Sequence, residues 1–229
     1  MSDSADEPSY GVGHRQRLRE RLLSGGAAAF HDHELLEYIL ALTIPRRDTK
    51  PLAKRLIATF GSFSSVLAAE PDSLRAAGVS EAAVAGIKFV QASAVRMLQE
   101  AVHKQPVISS WQSLLEYLHA DMAHGIREQF RVLFLNNRNM VIRNDVLSQG
   151  TVDYAAVYVR EIIKRALEVG ATGLILVHNH PSGDPSPSAD DIRMTKDVME
   201  TARRLGISLH DHVIVGSRGH KSLKSLGLI

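Results

Sequence analysis

The 229-residue sequence contains no cysteine. Its absence excludes disulfides and, with them, a small secreted scaffold held together by cross-links. It also excludes thiolate zinc sites, so any metal must rest on histidine and carboxylate. Aromatic residues are scarce, at 5% of the chain, and the core must therefore be built from Leu, Ile, Val and Ala. The formal net charge is only +2. That balance selects no partner by itself; a clustered basic patch is the better pointer to nucleic acid. No apolar run approaches the ~18 residues of a membrane span. The first eight residues are polar and acidic, unlike the basic start and apolar centre of a signal peptide. The expectation is a cytoplasmic protein with no membrane partner.

What remains is the composition of a globular protein: 45% hydrophobic and 23% charged residues, enough chain for one large domain or two small ones. Residues 1–12 read as a disordered tail. Arg15, Arg17, Arg19 and Arg21 follow as a basic stretch. His33–Leu42 has helical periodicity with Asp32 as its N-cap, and Pro45 ends it. A basic loop with Arg46, Arg47 and Lys50 leads into a helix over 51–60, which Gly61 stops. Short helices are expected over 64–69 and 72–77, then a turn at 78–80 and a long helix over 81–103. Near Pro106 the pattern changes. Residues 130–136 and 140–147 suggest a hairpin around Asn136-Asn137-Arg138-Asn139. Helical spacing covers 154–169, a buried strand 172–177, a helix 188–205, and a last strand 207–215. The fold class expected is α/β: a small all-α domain over 1–105, then a mixed-sheet domain over 106–229.

The most informative stretch runs from His178 to Asp191. Side chains alternate along a strand, so His178 and His180 point to the same side. Two such imidazoles can reach one ion at ~2.0–2.1 Å. A Pro/Gly loop then returns the chain to Asp191 in the first turn of a helix. Two histidines and one aspartate leave a fourth position for water, the pattern of a catalytic zinc site. The bland alternative stays open: Ser188-x-x-Asp191 is also a helix capping box in outline. The competing carboxylates fit less well. Asp190 lies about 100° around the helix from Asp191. Among the other histidines, His31-Asp32-His33 lacks the downstream serine and aspartate. His33-Glu34-Leu35-Leu36-Glu37 begins like a zincin motif and ends in glutamate. His210-Asp211-His212 could approach the site as structural support for a ligand.

The spacing His178-x-His180, seven residues, Ser188, two residues, Asp191 matches the JAMM (MPN+) signature. The run His178-Asn179-His180-Pro181-Ser182-Gly183 resembles the bacterial RadC family in particular. So do Gly13-His14-Arg15, Asp32 to Leu36, Pro45 to Pro51 and Asp211 to Gly216, and the likeness spans roughly residues 13–229. It implies a mixed-sheet MPN/JAMM, cytidine-deaminase-like domain and a zinc hydrolase, with His178, His180 and Asp191 as ligands. It further implies Glu128 as general base and Ser188 as stabiliser of an oxyanion. The residues alone do not choose Glu128 over Glu161 or Glu168. The activity implied is cleavage of a peptide or isopeptide bond in an unknown protein or peptide substrate. The family's association with DNA repair implies a second class: DNA binding, or phosphodiester cleavage at the same metal. Phe60–Gln91 resembles a helix-hairpin-helix, although Ser80 replaces the second glycine of its turn. Arg15, Arg19, Arg46 and Arg47 are the electrostatic candidates for DNA contact. A third class is a scaffold on an MPN-like domain, which a complete ligand set disfavours.

Overall fold

The computed structural model describes residues 12–150 and 158–229. The tail expected over 1–12, except for Val12, and the first four residues of the helix expected over 154–169 lie outside them. The chain divides into two compact units, Met1–Ala92 and Ser93–Ile229. The sequence changes character at 105/106, whereas this division falls within a continuous helix.

The first unit contains α1 (Val12–Gly25), α2 (Asp32–Thr43), α3 (Lys50–Phe60), α4 (Phe63–Ala68), α5 (Pro71–Ala76) and the start of α6 (Glu81–His103). Leu36 and Leu40 of α2 pack with Ala53 and Leu56 of α3, Leu74 of α5, and Val84 and Ile87 of α6. The N-cap of α2 is His31, not the expected Asp32. Glu34 reaches back to accept the His31 backbone N–H at 3.0 Å, while Asp32 sits in the first turn, where negative charge complements the helix dipole. Two polar contacts tie α1 to α2. His14 Nε2 lies 2.7 Å from buried Glu37, and Arg21 holds both oxygens of Glu34 at 2.9 and 3.0 Å. Gly61 stops α3 at φ 93°, as expected.

The second unit is a five-stranded mixed sheet ordered β2-β1-β3-β4-β5. Its strands are β1 (Glu128–Leu135), β2 (Val141–Gly150), β3 (Gly173–Asn179), β4 (Ser208–Gly216) and β5 (Gly219–Ser222). β1 and β2 form the expected antiparallel hairpin, and β3 and β4 are parallel, as a helical crossover requires. β5 adds an antiparallel edge that the sequence does not announce. One face carries Leu133, Leu135, Ile175, Val177, Val213 and Val215 against α7 (Trp111–Met122) and Val102 of α6. The opposite face carries Phe130, Val132, Phe134, Leu174 and Leu176 against α8 (Val159–Glu168) and α9 (Ala189–Arg204). Helices on both faces explain why β3 reads as an unbroken apolar run rather than an alternating one. Among the described residues, no helix is long and apolar enough to cross a membrane.

Candidate metal centre

β3 ends at the site, and its register decides which side chains meet there. His178 lies on the sheet face of Leu174 and Leu176, covered by α8 and α9. His180 follows one side-chain repeat later, and its backbone N–H remains tied to Val215 O of β4 at 2.8 Å. The loop after it is then pressed onto the β4–β5 turn. Arg218 N–H donates to Gly183 O at 3.1 Å, and a Cβ on Gly216 would collide with the backbone of Gly183. The chain enters α9 at Ser188, the observed N-cap.

The capping box and the candidate ligand group share one geometry. Ser188 Oγ accepts the Asp191 N–H at 3.1 Å and donates to Asp191 Oδ2 at 2.6 Å. Oδ2 also accepts the Ser188 N–H at 2.8 Å. One carboxylate oxygen is thereby fixed, and Oδ1 faces His178 Nε2 at 3.4 Å. His178 Nε2 lies 2.9 Å from His180 Nε2, and His180 Nε2 lies 3.8 Å from Asp191 Oδ2. Among the described residues this is the group of three or more His, Asp and Glu whose ligand atoms lie within 4.8 Å of one another.

The donor set fits a cation. His180 Nδ1 lies 2.8 Å from the Asp184 carbonyl, which can only accept. Nδ1 therefore carries the proton and Nε2 presents a lone pair. That lone pair, His178 Nε2 and a carboxylate oxygen converge, with His178 Nε2 2.9 Å from His180 Nε2 and 3.4 Å from Asp191 Oδ1, so that one cation could be shared among them. Burial pushes the pKa values of His178 and His212 well below the ordinary range. Burial thus favours the neutral form of both rings, the form in which an imidazole can bind a metal.

Glu128 arrives from a neighbouring strand. Phe130 pairs with His178 in the antiparallel β1–β3 register, and their rings stack at 6.2 Å between centroids. Two residues back along β1, Glu128 lies on the same face, one repeat toward His180. Partial burial raises its pKa; His180 opposes the rise and Asp191 adds to it. Of the two other candidates, Glu161 sits in the first turn of α8 and Glu168 pairs with Arg165 at 3.1 Å.

The remaining carboxylates are accounted for locally. Asp184 accepts from the backbone and hydroxyl of Ser186 at 3.0 and 2.8 Å, and Asp190 pairs with Arg193 at 2.7 Å. In the zincin-like stretch, Glu34 is held by Arg21 and Glu37 by His14. His210 packs over Gly173, at the far end of β3 from the site.

Over residues 108–228 the chain matches the model of the RadC-like JAB domain, and over 12–85 that of the UPF0758 N-terminal domain. The chain belongs to the RadC-like JAB domain family. A UPF0758 protein of Rhodobacter capsulatus is 53% identical over 213 residues, covering 93% of this chain and all of the relative. One from Ruegeria pomeroyi is 50% identical over 223 residues, covering 97% of this chain and all of the relative. Membership in the RadC-like JAB family, with a His178-His180-Asp191 group able to bind a metal ion, points to a metal-dependent hydrolase of the JAMM type.

Three further residues of this RadC-like domain surround the site: His212, from the His210-Asp211-His212 run that the sequence offers as structural support, and Thr195 and Asn179, which the sequence does not mark for that role. His212 Nε2 lies 2.8 Å from His178 Nδ1, and Thr195 Oγ1 lies 2.6 Å from His212 Nδ1. Asn179 points to the other side of β3 and binds the segment before and after Glu128. In the helical unit, Arg19, Arg46 and Arg47 are exposed. Arg15 is half-buried and donates to the carbonyls of Ala41, Ile44 and Arg47 at 3.3, 2.8 and 2.6 Å. It fastens the loop after α2. At the hairpin-like turn, Arg75 is held by Asp72 and Glu81 at 2.6 and 2.8 Å.

Proposed function

We propose that this protein is a zinc-dependent metallopeptidase that hydrolyses a peptide or isopeptide bond. The observation that carries the reading is the convergence of two imidazole nitrogens and a fixed carboxylate on the sheet face that also bears Glu128. Three nitrogen and oxygen ligands with a fourth position open is the pattern of catalytic rather than structural zinc. His178, His180 and Asp191 would hold the ion, which would supply Lewis acidity for an attacking water and a substrate carbonyl.

The chain's own residues handle the protons. Glu128 takes a proton from the attacking water as the C–O bond forms, then delivers it to the leaving nitrogen as the C–N bond breaks. Ser188 turns its hydroxyl from Asp191 Oδ2 toward the oxyanion developing on the substrate carbonyl. The test is turnover of a mixed library of peptides and isopeptide-linked peptides, read by mass spectrometry, using zinc-loaded protein. Wild type is expected to release new amine and carboxylate ends, while Glu128→Gln and Asp191→Asn release none at unchanged circular dichroism. Equal turnover by wild type and both variants would overturn the reading.

A second reading, favoured by the exposed side chains of Arg19, Arg46 and Arg47, is that the helical unit engages DNA, with the metal centre as a nuclease. Phosphate contact makes binding fall steeply with salt. A fluorescence anisotropy titration at low and moderate salt decides it; no binding at low salt removes it.

A further inference from the structure

We propose that Thr195 and His212 are positioning residues that fix the proton of His178 on Nδ1, so that its Nε2 lone pair is directed to the metal. The inference rests on the reading of His178 as a ligand and extends it through α9 and β4.

Four groups form one buried chain. Thr195 Oγ1 lies 2.5 Å from the backbone carbonyl of Asp191. The same oxygen lies 2.6 Å from His212 Nδ1, and His212 Nε2 lies 2.8 Å from His178 Nδ1. Thr195 and His212 are fully buried and His178 nearly so, so water cannot replace a missing partner. The direction follows from the inventory of donors. A carbonyl only accepts, and a hydroxyl has one hydrogen to give. Thr195 therefore donates to Asp191 O and accepts from His212. His212 then carries its proton on Nδ1 and presents a lone pair at Nε2. That lone pair can be satisfied only by a proton on His178 Nδ1, which leaves Nε2 of His178 as the ligand atom. The chain begins on the backbone of one metal-facing residue, Asp191, and ends on the side chain of another. Phe130 completes the enclosure, its ring T-shaped against that of His212 and stacked with that of His178. A histidine ligand commonly donates its second N–H to a carboxylate or carbonyl. Here the acceptor is a neutral imidazole, which accepts only while its own proton stays on the far nitrogen. Thr195 is what keeps it there.

Thr195→Val tests this, because valine keeps the shape and removes the hydroxyl. Zinc affinity is measured by competition with a fluorescent chelator, and the tautomers by long-range 1H–15N correlation of the imidazoles in zinc-loaded protein. Wild type is expected to show the Nδ1–H form for both His178 and His212. Thr195→Val strands the His212 Nδ1–H, and its zinc affinity should fall ~10–100-fold; Thr195→Ser should restore it. A packing defect would alter stability without moving the tautomers. His212 protonated on Nε2 in zinc-loaded wild type, or wild-type zinc affinity in folded Thr195→Val, would overturn the proposal while leaving the metal site standing. Failure of folded wild type to take up zinc would overturn the metal reading, and the proposal with it.

Discussion

Asn179 Oδ1 accepts the backbone N–H of Gln129 at 2.9 Å, so the residue between the two metal-facing histidines anchors the residue beside Glu128. Asn179 Nδ2 completes the clamp on the carbonyls of Arg127 at 3.1 Å and Gly125 at 3.3 Å. Both peptide groups flanking Glu128 are thus held by a side chain of β3. Asn179→Ala removes the clamp and keeps all three ligands. It should lower kcat by about 10–100-fold, because small displacements of a catalytic group are costly, with zinc affinity within about threefold of wild type. Parallel turnover and chelator-competition measurements check this. Zinc affinity falling as far as kcat would show that Asn179 holds the ligands instead.

Metal and proton transfer should separate by substitution. His178→Ala removes a ligand and should leave dialysed protein with little zinc by elemental analysis, against about one equivalent in wild type for a single site. Glu128→Gln should retain that equivalent and lose about 10²–10⁴-fold in turnover.

Acid should weaken the helical unit through Glu34. Hydrogen bonding from Arg21, then from the His31 backbone, holds its pKa down to about 2, below the ~4.3 of an unperturbed glutamate. A depressed folded pKa means stabilisation that is complete above the unfolded value and is lost as pH falls through the folded one. Glu34→Gln should therefore be less stable than wild type at pH 6, with the gap closing between about pH 4 and pH 2. Urea unfolding followed at both ends of that range measures it. A gap of constant size would assign the effect to packing.

Gly216 should tolerate no side chain. A Cβ there would run into the backbone of Gly183, which belongs to the loop between His180 and Asp191. Gly216→Ala should cost about 1–3 kcal/mol, the range for an overpacked contact, and weaken zinc binding by displacing that loop. Thermal unfolding with and without zinc reads both effects; unchanged values in both would show that the loop yields freely.

Much of this architecture is legible in the sequence where local pattern and tertiary environment agree. β3 is apolar because both its faces are covered, and α6 carries helical periodicity over its whole length. The metal triad is legible because its three residues lie within one short stretch of chain. Elements that depend on distant partners are harder to see. α1 is rich in arginine and fully buries Leu18 alone, so its helical stripe is faint. β5 (GHKS) has no apolar alternation and is a strand because β4 pairs with it. α7 is a different case: Leu114, Leu118 and Met122 repeat every four residues and are buried, a helical signal carried by the sequence itself. His212 is legible as part of a His-Asp-His run that could support the site, whereas Thr195 is an ordinary helix residue until the fold brings it beside His212. Asn179 in sequence resembles a turn residue; only the β1–β3 register shows what it grips.

The three ligand candidates lie in a strand end, a loop and a helix start that follow one another directly, whereas Gln129, beside Glu128, is joined to Asn179 across 50 positions of chain. Closing a short loop costs less entropy than closing a long one, so the metal-binding stretch can assemble before β1 is seated. Under the proposed zinc chemistry, a preparation could be fully loaded with metal and still contain molecules in which Glu128 is out of place. On that proposal, counting active sites requires a titrant that reports Glu128, because metal stoichiometry would also count molecules in which Glu128 is out of place.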